Sequence, residues 1–462
     1  MNFIRILVIF VTIISCGQIP SWVPGSKKNQ DTKATIKPNS SPEVTDTNLA
    51  ADPVYNAAIV NNDYLKTSVN LDPWLKAGYH GKNLTIAILD NGFGGLKTSL
   101  GKRLPPDLKV EKSRIENESL TPHGTKLAEI IFAMTSGSPS WSATSKHPKF
   151  KLYNSNGFTN FSAAVDQAIE DRVDMIVYSQ VWEFGGNFDG SGFINAAVTK
   201  ATKVGILWIN AAGNYAASVW QGPVLIQDNG SVLLPYKSEY VRLVVNNQIT
   251  NVKITLSWND FTDSKEWRTS RDLDLTLLDP EMKEIAASRR TQDGKDHGKD
   301  SNYSAHAREF IESSLKPGIY LLKVTAKSRN FDEHSFFRLS ADGQNISFID
   351  QSTLASVMIP ADNPTVLTVG ASDDDSSSAG STMAGIRKPE FVAPSIIQVE
   401  GGMQFQGSST AAAVAAATLA VYQEACGKLH RSSTLDKIVD GSIAQLSTKG
   451  RGLWLNSQLN CY

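Results

Sequence analysis

The sequence predicts an α/β fold: a mostly parallel sheet with helices on both faces, interrupted by an inserted β-sandwich. Three observations carry this. First, four short apolar runs are continuous rather than alternating: Thr85-Ile86-Ala87-Ile88-Leu89, Met175-Ile176-Val177-Tyr178, Ile206-Leu207-Trp208-Ile209 and Val366-Leu367-Thr368-Val369. Continuous apolar strands mark a sheet covered on both faces. Second, the stretches between them have helical apolar spacing, and strand–helix alternation predicts parallel pairing. Third, between residues 220 and 350 the apolar period drops to two, the signature of half-buried antiparallel strands.

From the N-terminus, residues 1–15 place Arg5 before an apolar run from Ile6 to Ile14. That run is shorter than the ~20 residues of a membrane span. It has the form of a secretory signal. It ends Ile13-Ile14-Ser15-Cys16-Gly17, which resembles the lipobox of bacterial lipoproteins, where cleavage precedes a cysteine that becomes lipidated. The other reading is an ordinary signal peptide with an incidental cysteine. A Cys16 carrying two or more acyl chains would hold the protein on a membrane, because two chains anchor stably where one does not. The expected location is therefore outside the cytoplasm, lipid-anchored to a bacterial membrane at the outer membrane or cell surface. Residues 16–53 are polar and rich in Ser, Thr, Lys, Asn, Asp and Pro, and read as a flexible tether.

The folded body is expected over 54–219 and 351–462. Leu127, Ile130, Ile131 and Met134 follow helical spacing, as do Val165, Ala168, Ile169 and Val173, and residues 192–203 give a third helix. The insertion is expected over 220–350. There Val241, Leu243 and Val245 alternate, as do Val252, Ile254, Leu256 and Trp258, then Leu273, Leu275 and Leu277, then Ile319 and Leu321. The run from Asp272 to Pro280 resembles the jelly-roll modules of secreted proteases.

The chain has 462 residues, with 45 Lys+Arg against 46 Asp+Glu. A net charge of -1 gives no basis for neutralising phosphates broadly, so nucleic acid is not an expected partner. Three cysteines do not make a disulfide scaffold. Apart from Cys16 there remain Cys426 and Cys461, which either bond to each other or stay as free thiols.

Four segments bear chemistry. Asp90 follows the first apolar run, where ligand and catalytic groups of parallel sheets gather. Pro122-His123-Gly124-Thr125 stands directly before a helix, Ala211-Ala212-Gly213-Asn214 follows a strand, and Gly407-Ser408-Ser409-Thr410 heads the run Ala411 to Ala425. Each alone reads as a turn or a helix cap. Together they have the residue types and the order Asp, His, Ser of a known triad.

At these residues the chain resembles the subtilisin-like serine proteases, the subtilases. The blocks IAILDNG, PHGT, AAGN, VLTVGASDD with KPEFVAPS, and GSSTAAAVAAATLAV are collinear with the family's motifs, over roughly 70–215 and 360–450. The resemblance implies a three-layer subtilisin-like fold and a serine endopeptidase acting on protein or peptide substrates. It implies Ser409 as nucleophile, His123 as base, Asp90 as its partner and Asn214 as oxyanion donor. No cofactor is required for that chemistry. The family often binds structural calcium, for which Asp373-Asp374-Asp375 is the candidate; by themselves these residues read as a solvated loop.

The chain also departs from the family. Lys126 and Glu129 stand where a second His and small residues are usual, Thr410 and Ala413 replace Met and Pro, and Ser179-Gln180-Val181-Trp182 lacks the usual Ser-Leu-Gly of the substrate-lining strand. Lys126 is expected to carry its charge on its long stem into solvent. The segment before the body is too short for the usual folded propeptide. An alternative is therefore an inactive lipoprotein of the same fold that binds through its insertion. A metal-dependent hydrolase has little support, since no H-E-x-x-H motif occurs.

Overall fold

The computed structural model describes residues 57–234, 237–343, 345–350, 355–447 and 450–461. The signal, the tether and Cys16 lie outside the described residues. Among the described residues, no helix is long and apolar enough to cross a membrane.

The centre is a nine-stranded sheet. Its spatial order is Val110–Glu111, Lys149–Asn154, Thr85–Asp90, Met175–Tyr178, Leu207–Ala211, Leu367–Ala371, Phe391–Ala393, Gly450–Leu453 and Ala444–Ser447. All neighbours are parallel except the last pair. The chain builds outward in both directions from Thr85–Asp90, so the strand carrying Asp90 is central. Successive side chains point to opposite faces. Ile86 and Ile88 join one core with the helices His123–Ser136 and Ser408–Cys426. Ala87 and Leu89 join the other, with Gly157–Glu170 and Phe193–Lys203. This two-sided burial is why the runs are continuous in sequence. The sandwich of helix, sheet and helix agrees with the predicted fold class.

The helix Ser408–Cys426 is buried along nearly its whole length, from Ser408 to Gln423. Eight alanines from Ala411 to Ala425 make this feasible, since small side chains let neighbouring backbones approach closely. A helix apolar all round belongs in a protein interior.

The block after residue 218 forms two antiparallel sheets. One contains Glu284–Ser288, Leu273–Leu278, Gly318–Ala326, Val241–Val245 and Ile346–Phe348; the other Arg308–Leu315, Thr250–Trp258, Phe336–Asp342 and Val219–Pro223. Leu243, Leu275 and Leu322 of the first share a core with Ile254, Leu256 and Leu339 of the second. That core is continuous with the Phe161 and Val198 side of the central sheet. Val241–Val245 alternates in burial as expected. Leu273–Leu278 does not: all six residues are buried, Asp274 and Thr276 included. Burial pushes the Asp274 carboxyl up and that of Asp272 up to about 6, against the pull of Lys327.

The insertion is packed firmly onto its host. The Phe193 ring centre lies edge-on 5.9 Å from that of Phe261 and tilted 5.4 Å from that of His306. The Arg308 guanidinium lies 3.8 Å over Phe184, and that of Arg338 lies 3.9 Å over Phe188. The Asn187 side chain donates to Phe261 O and accepts from Phe261 N. Burial first, then Arg308 and Arg268, press the His306 imidazole down to about 4, so it is neutral in this aromatic joint.

The C-terminal tail is tied to the host. Cys426 and Cys461 form a disulfide, joining the end of the long helix to the C-terminal tail. The tail in turn takes the Trp74 indole N–H on Asn456 O.

Candidate active site

Asp90 ends the central strand, fully buried. Its Oδ2 accepts from His123 Nδ1 at 2.6 Å and from Ser179 Oγ at 3.0 Å. Its Oδ1 accepts from the Gly92 N–H at 3.2 Å. A carboxylate only accepts, so Nδ1 carries the proton and Nε2 is left as the acceptor. His123 opens its helix, and its own N–H is held by Thr121 Oγ1 at 3.0 Å. The next residue must be small: a Cβ on Gly124 would lie 2.5 Å from the Phe93 ring and 2.8 Å from Asp90 Cβ. Glycine here lets the helix approach the strand closely enough for the Asp90–His123 contact.

Ser409 is the second residue of its helix and 5% exposed. Its hydroxyl donates to Ser179 O at 3.2 Å. Ser179 therefore touches both Asp90, through its side chain, and Ser409, through its carbonyl. On the other side, the Asn214 amide oxygen accepts from Ser408 N and Ser408 Oγ, both at 3.0 Å. Ser408 Oγ accepts in turn from Gly213 N at 3.1 Å. With its oxygen committed, Asn214 is left with Nδ2 to donate. Gly407, at φ +140°, permits this: a Cβ there would lie 2.9 Å from Asn214 Nδ2. His123, Asn214 and Ser409 line one cleft together with Lys126, Leu127, Phe405, Gln406 and Thr410. It has room for little more than a water molecule.

Burial pushes the His123 imidazole down, but the charge of Asp90 and its hydrogen bond outweigh this. The net shift is upward from the ordinary value.

The comparisons with known proteins can now be set beside this geometry. The sequence model of the subtilase family, peptidase S8, matches residues 81–320 and 254–449. The chain belongs to the subtilase family. Membership makes it a serine-type endopeptidase whose substrates are proteins or peptides. The subtilase is similar in fold to the CspB protease of Clostridium perfringens, at 14% identity and a TM-score of 0.52, over 86% of this chain and 98% of that one. It also aligns with MycP1 from Mycobacterium smegmatis at 13% identity and a TM-score of 0.37, over 93% of this chain and 89% of that one. No curated protein matches it in sequence.

One sequence expectation fails in this subtilase. Lys126 does not reach solvent; it is 1% exposed. Its Nζ donates to Glu129 Oε2 at 2.8 Å and to Ala57 O at 3.0 Å. Glu129, 2% exposed, also takes Arg103 Nε at 2.8 Å and the Ser99 hydroxyl. A buried charge persists only when paired. The pairing acid stands one turn along the same helix, while Ser99 ends the separate helix Leu96–Ser99 and Arg103 follows it.

Ser179 and Ser408 contact the candidate residues, though the sequence assigned neither a role of its own. Ser179 stood in the segment Ser179-Gln180-Val181-Trp182 expected to line the substrate, and Ser408 in the segment Gly407-Ser408-Ser409-Thr410. In the acidic cluster the carboxylates accept hydrogen bonds from the chain itself. Asp373 is occupied by Ser395 N and Oγ and by Ile396 N, and Asp374 by Ser376 N.

Glu129→Gln leaves two buried cations without their counter-charge. It should lower unfolding stability by about 3–5 kcal/mol, read as a shift of the urea midpoint, whereas loss of an exposed pair would cost under about 1 kcal/mol.

Proposed function

We propose that the subtilase hydrolyses peptide bonds through Ser409, His123 and Asp90, with Asn214 as oxyanion donor. The observation that carries this is the buried Asp90–His123 contact beside a cleft that Ser409 and Asn214 also line. A serine hydroxyl is a weak nucleophile and needs a base. Neutral His123 takes the Ser409 proton as the hydroxyl attacks the scissile carbonyl, then returns it to the leaving amine. Asp90 keeps the proton on Nδ1 and stabilises the imidazolium as it forms. Asn214 Nδ2, held by Ser408, meets the developing oxyanion together with the Ser409 N–H. The N-terminus of the Ser408 helix adds its positive dipole end.

We also propose that the chain is exported and tethered through a lipidated Cys16. The charged start and apolar run of residues 1–15 support this, and the Cys426–Cys461 bond suits an oxidising compartment. Cys16→Ala should move the protein from the membrane pellet to the soluble fraction; continued pelleting in high salt would point to another anchor.

A fluorophosphonate should label the wild type and not Ser409→Ala. The base form of His123 is needed, so labelling should be full above its raised pKa and fall about tenfold per pH unit well below it. A flat rate from pH 8 to 5 would remove His123 as base, and failure to label at any pH would favour a binding role. Asn214→Ala should lower kcat by about 10²–10³, the range for one oxyanion donor, with KM little changed; an unaltered kcat would take Asn214 out of the mechanism.

A further inference from the structure

The structure also bears on which peptide bonds are cut, an inference that rests on Ser409 being the nucleophile. His123, which hands the proton to the leaving amine, marks the leaving-group side of the bond. The acyl-side residue must then lie over the ends of the adjacent strands Met175–Tyr178 and Leu207–Ala211. Just beyond those ends stand Ser179, on whose carbonyl the Ser409 hydroxyl rests, and Asn214, whose Nδ2 would donate to the acyl carbonyl.

The cleft at Ser409 is lined by His123, Lys126, Leu127, Asn214, Phe405, Gln406 and Thr410. On the acyl side the two segments leaving the strands are cross-braced. Tyr215 leaves one and donates its hydroxyl to Glu183 Oε1 on the other at 3.1 Å. The Trp182 N–H donates to Ile359 O at 2.6 Å. Met358 fits beneath Gly213, where an added Cβ would lie 3.3 Å from Met358 Cγ. Val181, Tyr215 and Met358 are 3%, 1% and 0% exposed and share one apolar cluster. The insertion secures the arrangement: Arg338 Nη1 donates to Val357 O at 2.7 Å and reaches Met358 Sδ at 3.6 Å.

We infer that this subtilase cleaves after glycine or alanine, because Val181, Tyr215 and Met358 occupy the volume that a larger acyl-side residue needs. Interiors are close-packed, so a bulky side chain could enter only by displacing these residues. A filled pocket discriminates against size by about tenfold or more for each step in bulk.

The test is digestion of a mixed peptide library by the full protein, with cleavage sites read by mass spectrometry and fluorophosphonate labelling followed in the same sample. Cleavage after Gly and Ala should exceed cleavage after Phe, Leu or Lys by about tenfold or more. Labelled Ser409 with equal cleavage after Phe and Ala overturns this inference and leaves the nucleophile standing. Absence of both labelling and cleavage removes the nucleophile, and the inference with it. Met358→Ala and Val181→Ala, each confirmed as folded by circular dichroism, should raise the ratio of Phe to Ala cleavage about tenfold. An unchanged ratio in both labelled variants also overturns it.

Discussion

The structure depends on one constraint: the helix that carries Ser409 runs buried through the middle of the host domain. No polar stripe relieves it, so every element around it must present apolar surface at close range, and its alanines set that range. The strands beneath are covered on both faces as a result. The helix start is fixed from two sides, by Ser408 against Gly213 and Asn214 and by Ser409 against Ser179. Ser409 is thus held by the ends of two neighbouring strands rather than by a free loop.

The second layer of control is electrostatic. Asp90 is buried and accepts from three donors, His123, Ser179 and Gly92. Such a carboxylate favours the imidazolium, against the desolvation that opposes it. A few residues along the same helix, Lys126, Glu129 and Arg103 form a separate buried charge network. Its partners include the backbone at Ala57, so the N-terminal end of the described chain is bound to the helix that begins with His123.

Much of this was legible in the sequence, for physical reasons. Burial on both faces writes itself as unbroken apolar strands, and burial on one face as alternation, which separated host from insertion. Asp90, His123, Asn214 and Ser409 stood out because each sits at a strand end or helix start with small neighbours that close approach requires. What stayed hidden depends on residues distant in sequence. Lys126 read as a solvent-facing cation because Arg103 and Ser99 could not be placed beside Glu129. The run Leu273, Leu275 and Leu277 read as half-buried because nothing in the period shows that a second layer covers its other face. Ser179 and Ser408 have ordinary local roles, and only the meeting of strand ends gives them others.

The insertion leaves and rejoins its host through touching positions: Phe348 N–H donates to Ala217 O at 2.8 Å, and Ala341 N–H to Ser218 O at 2.9 Å. The path of the host is therefore already closed at that point, whatever lies between. Closure entropy grows only slowly with loop length, so a module of any size, or a plain turn, would satisfy the same two anchor points. A replacement would instead be limited by wetting, because the rings of Phe184, Phe188 and Phe193 would face water unless it brought its own cover.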